Sequence, residues 1–83
     1  MTYNIYCIYD TVAGTSQSGL MLKENDELIL RDLKTAKLGD LIENNLEDFD
    51  LYRLGTFDST TLDIVHKKEF LMHLSVLKGV QHE

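Results

Sequence analysis

Residues 3–9 read Tyr-Asn-Ile-Tyr-Cys-Ile-Tyr and are followed by Ala-Gly-Thr-Ser-Gln-Ser-Gly at 13–19. Aromatic and β-branched residues at this density predict a strand that stops at a small, polar loop. Strand alternation sends Tyr3, Ile5, Cys7 and Tyr9 to one side and Asn4, Tyr6 and Ile8 to the other. Both sides are largely apolar, so the strand belongs inside a sheet with cover on each face. Rings that stack nucleic-acid bases stand on an exposed sheet face among basic residues. Here no Lys or Arg occurs before Lys23. The segment therefore reads as core, with at least two of Tyr3, Tyr6 and Tyr9 buried and their hydroxyls reaching a partner at the rim.

The next element is a helix. Asn25 suits its N-cap, and Asp26 and Glu27 suit the positive end of its dipole. Ile29, Leu33 and Ala36 form its apolar stripe, flanked by Leu28 and Leu30. Gly39 is placed to end it, with Lys34 and Lys37 in the last turns. Residues 40–45 form a connector with room for one more helical turn. Residues 49–57 predict a second strand, 58–61 a turn, and 61–65 a third strand antiparallel to the second. Phe70, Leu74 and Leu77, with Leu71 beside them, predict an amphipathic helix over 67–78 ended by Gly79; the same run also fits a strand. The expectation is an α+β fold: a three-stranded sheet in β-α-β-β-α order with an amphipathic C-terminal helix. A parallel pairing of the first two strands would need a right-handed crossover.

The chain has 83 residues, read as one domain over 1–83. A chain this short buries only about 60% of its unfolded surface, and its exposed sheet edge invites a second copy. A homodimer is expected, and Phe70, Leu71, Leu74 and Leu77 are its seam or a docking face for a partner. The formal charge of −6 opposes indiscriminate phosphate binding, which rests on Lys and Arg. A local basic patch remains available. Arg31, Lys34 and Lys37 fall opposite the helix's apolar stripe, and Arg53 projects from the second strand. These four are the candidate nucleic-acid contacts. A solvated helix face is the plain alternative.

Cys7 is the one cysteine, which excludes an internal disulfide and a two-cysteine metal site. Its place in an apolar run makes it a small buried side chain. No apolar run reaches the length of a membrane span, and the N-terminus lacks the pattern of a secretory leader, so a cytoplasmic protein is expected. His66 and His73 lack the i, i+4 spacing of a metal helix, and no phosphate-binding glycine loop is present. The carboxylates Asp40, Glu43, Glu47, Asp48 and Asp50 lack the spacing of a calcium loop. No constellation of nucleophile, base and orienting group stands out. The reading is a non-enzymatic protein without a cofactor.

Three segments carry a resemblance. Tyr6, Asp10, Ala13 and Gly14 form the first, and Asn25, Asp26 and Arg31 the second. The third and most specific is Glu47, Asp48, Phe49, Leu51, Tyr52, Leu54, Gly55, Phe57 and Asp58. Together they resemble the small nonstructural protein of gokushoviruses, Microviridae phages with circular single-stranded DNA. Leu46 stands where that family has Pro. The resemblance implies a non-enzymatic protein of the infected host cytoplasm that assists replication or packaging of single-stranded DNA by binding it as a dimer. The alternative it leaves open is an acidic module that binds a phage replication protein, a capsid component or a host factor.

Overall fold

The computed structural model describes residues 1–17 and 19–78. It is an α+β fold built on one antiparallel sheet. Strand β1 spans Thr2–Asp10, β2 Thr15–Ser16, β3 Met21–Lys23, β4 Phe49–Asp58 and β5 Ile64–His73. The helices are α1 (Asp26–Thr35), α2 (Asp40–Glu43) and α3 (Leu74–Lys78), with a 3₁₀ turn at Leu46–Asp48. The sheet order is β2-β1-β4-β5, and β3 pairs with β1 as well. Among the described residues no helix is long and apolar enough to cross a membrane.

β1 lies inside the sheet, as its apolar run requires, but the helices cover one of its faces and not both as expected. Its main partner is β4, antiparallel, with Tyr6 opposite Arg53 and Ile8 opposite Leu51. The parallel alternative is therefore overturned. β1's other edge is filled by β2 near Tyr9 and by β3 near Ile5. These two short strands raise the sheet from the expected three strands to five. With two and three residues, they are too short to show a period of their own.

All the buried helix positions face one side of the sheet. Ile29, Leu33, Ile42 and Leu74 cluster with Tyr6, Ile8, Phe49 and Leu51. Asn25 caps α1 by accepting a hydrogen bond from the Leu28 N–H at 3.0 Å. The helix stops at Thr35, earlier than expected, and Ala36 is exposed rather than part of the apolar stripe. Gly39 is the N-cap of α2 instead of the end of α1. The open carbonyls at the end of α1 are taken by Lys78. Its ammonium donates to Leu33 O at 2.8 Å and Ala36 O at 2.7 Å, and pairs with Glu43 at 3.2 Å. A buried cation is tolerable only with such partners.

The expected helix over 67–78 is a correction. That run is strand through His73 and helix only over Leu74–Lys78. Pairing with β4 decides the matter. Phe70 lies opposite Tyr52 on one face, and Met72 lies opposite Leu51 on the other. Gly79, the expected terminator, lies outside the described residues.

At Gly55 the sheet changes character. The β1–β4 register shifts between Ile5 and Tyr6, and the β4–β5 register shifts between Arg53 and Gly55. Gly55 has φ +144°, and a Cβ there would stand 2.0 Å from the Val65 carbonyl oxygen. Only glycine allows β5 to come this close. Beyond it the β4–β5 hairpin runs on to a turn in which the Asp58 carboxylate accepts from the N–H groups of Thr60 and Thr61. The molecule is elongated, 44 × 27 × 19 Å.

Candidate functional site

The four basic candidates divide. Arg31, Lys34 and Lys37 are exposed on α1. Arg53 is not a free cation. It lies under the N-terminus of α1, where its guanidinium donates to Asp26 and Glu69. The Tyr6 hydroxyl donates to the same Asp26, and Asn4 donates to both. Burial, together with the Asp26 bond, pushes the Tyr6 phenol up to about 12. Burial also works against ionised Asp26, but the bonds from Tyr6 and Arg53 more than offset it and hold the carboxyl below its ordinary range. Glu69 is lowered by Arg53, and Arg53 is raised by Glu69 and then Asp26. This network fastens α1 to β1, β4 and β5. With two carboxylates on it, Arg53 has little charge left for a phosphate.

The four seam candidates also part company. Leu74 is fully buried in the chain's own core, and Leu71 and Leu77 pack partly against it. Phe70 is on the opposite face of the sheet, 48% exposed. They do not form one helical stripe.

Phe70 instead belongs to a row of rings. Tyr9 on β1 meets Tyr52 on β4 edge to face at 6.0 Å between centroids. Tyr52 meets Phe70 on β5 at 5.7 Å, and Phe70 meets His73 at 5.0 Å. The row crosses three adjacent strands on the face away from the helices. His73 Nδ1 stands 2.6 Å from the carboxylate of Asp50, which is buried, and this fixes the end of the row. Beside the rings is a shallow cleft of about 250 Å³ lined by Cys7, Tyr9, Tyr52, Leu54 and Lys68. It is smaller than the roughly 300–1,000 Å³ of enclosed small-molecule sites. An open row of rings set edge to face, with one cation at its side, describes it better. Burial raises the Cys7 thiol, against a lowering bond with Ser16. It stays protonated and is a poor nucleophile.

Of the three early tyrosines only Tyr6 is fully buried. Tyr3 and Tyr9 are half-buried, which corrects the expectation of two buried rings. The missing cation also has an explanation. It does not stand between the tyrosines of one strand: Lys68 comes from β5, across the sheet. Assigning Phe70 to a helix hid the row. The one available signal was the alternative strand reading of the same run.

Among the described residues no group of three His, Cys, Asp or Glu side chains is placed to hold a metal ion. No curated protein matches the chain, and no solved structure matches it. A family model does, over residues 3–77, nearly the whole described chain and all three segments that carried the resemblance. The chain belongs to the Phage ORF5 protein family, a family of bacteriophage proteins.

Proposed function

We propose that the protein is a non-enzymatic accessory protein of a gokushovirus-type phage and that it binds single-stranded DNA on the open face of its sheet. It acts in the host cytoplasm during genome replication or packaging. The observation that carries this reading is the row of Tyr9, Tyr52 and Phe70 on three adjacent strands, with Lys68 beside it. Bases stack on such rings with roughly 1–3 kcal/mol each, whatever their sequence. A duplex keeps its bases stacked on one another and offers them no such use. The preference is thus for single strands. Arg31, Lys34 and Lys37 lie on the helical layer, so they serve as an outlying phosphate contact rather than as the centre of the site.

The test is fluorescence anisotropy with a labelled single-stranded oligonucleotide and its duplex, at low and moderate salt. Wild type binds the single strand more tightly. Tyr52→Ala or Phe70→Ala weakens that binding about tenfold, with little change in salt slope. Replacing Arg31, Lys34 and Lys37 together by Ala mainly flattens the slope. No binding at low salt overturns the reading. It would favour the acidic module, whose exposed Glu47 and the rest of the 40–48 connector suit a basic protein surface.

A further inference from the structure

The sheet beyond Gly55 carries exposed apolar side chains on both faces. Ile64 lies opposite Phe57 on the ring side, and Val65 lies opposite Thr56 on the helix side. They are 66% and 62% exposed, and Leu62 before them is 69% exposed. β5 is the last strand in the sheet order, so its outer edge has no strand partner among the described residues. The direction of its backbone groups can be worked out. The Asp63 carbonyl accepts from the Asp58 N–H at 2.9 Å, and the Val65 carbonyl is turned toward Gly55. Alternation therefore turns the N–H and C=O of Ile64 and His66 outward.

Natural edges are blunted by lysines and bulges. Both devices occur here, but only from Lys67 onward, where the register shifts. The segment ahead of them is short and apolar, with Asp63 two residues before Val65 and Lys67 two residues after it. A twofold axis through Val65 exchanges those two charges. We propose that this segment pairs antiparallel with the same segment of a second copy, about an axis perpendicular to the sheet. Ile64 then faces His66 of the second copy, and the two exchange their outward hydrogen bonds. Asp63 faces Lys67 of the second copy at both ends of the contact. Val65 and Lys67 share a face in the monomer, as this register requires. The segment is complementary to itself in charge and hydrogen bonding, which singles out a second copy as its partner. The product is one continuous sheet with both rows of rings on the same side. The contact does not depend on what those rings bind.

Sedimentation equilibrium of the full chain tests it. Wild type shows a monomer–dimer equilibrium. Asp63→Lys sets lysine against Lys67 of the second copy, and Lys67→Asp sets aspartate against Asp63. Each contact occurs twice, so each single change weakens association about tenfold. The double variant reverses both charges and returns to the wild-type constant. Both positions are exposed, and circular dichroism checks that each variant is folded. A wild type that stays monomeric at every concentration overturns the proposal. So do folded single variants that dimerise like wild type, and so does a double variant that fails to recover.

Discussion

At the scale of single residues, Gly55 has the least freedom to change. Its positive φ and the 2.0 Å approach to the Val65 carbonyl act together, and the clash is with backbone that cannot swing away. Gly55→Ala should destabilise the fold by at least about 2 kcal/mol in a denaturant melt. Gly19, where a Cβ meets nothing within 4 Å, is the control: Gly19→Ala should be close to neutral. Gly55 stands inside a predicted strand, where the sequence already points to a place at which another chain passes close by. Glycine in a strand suggests a bulge, but only the paired strand reveals what the bulge makes room for.

At the scale of elements, legibility follows how much each element depends on others. α1 begins where its sequence says because the Asn25 cap, the acidic first turn and the Ile29 and Leu33 spacing are local. It ends where a distant residue, Lys78, meets its carbonyls. β5 is the opposite case. Phe70, Leu71, Leu74 and Leu77 satisfy a helical period, and only β4 turns the first two into strand. The candidate site shares that fate, because its rings come from three strands and no short window contains them. The difference can be measured. Leu74→Ala should cost about 2–5 kcal/mol, since it empties a fully buried position. Phe70→Ala should cost about 1 kcal/mol, mainly its edge contacts with Tyr52 and His73. A solvent-facing helical seam would make the two losses alike.

At the scale of the whole molecule, the balance of charge sets a pH window. Asp26, Glu43, Asp58 and Glu69 are all held below their ordinary values, by Tyr6 and Arg53 against burial, by the Leu38 N–H, by the Thr60 and Thr61 N–H groups, and by Arg53 respectively. A folded-state pKa below the unfolded one gives stability that is complete above the unfolded value. It is lost as pH falls through the folded value. The reference values are 3.8 for Asp and 4.5 for Glu. The melting temperature should therefore be flat across neutral pH and fall as pH drops below the Glu reference value of 4.5. Asp26→Asn should melt lower than wild type at pH 7, with a smaller further loss on acidification, read by scanning calorimetry along a pH series.

The place of β1 has a consequence in time. It is made well before its main partner β4, which begins at Phe49 and lies across two helices in the chain. Until β4 emerges, β1 can pair only with the short strands β2 and β3, which are too small to hold a sheet. Closing the sheet and its core waits for the second half of the chain, and Leu74 and Lys78 complete it later still. A newly made chain thus carries an unmatched apolar strand until β4 has emerged. Folding that rests on such distant pairings is slow, on the order of milliseconds to seconds. During that interval the open side of β1 is the part of the molecule with most to gain from a chaperone.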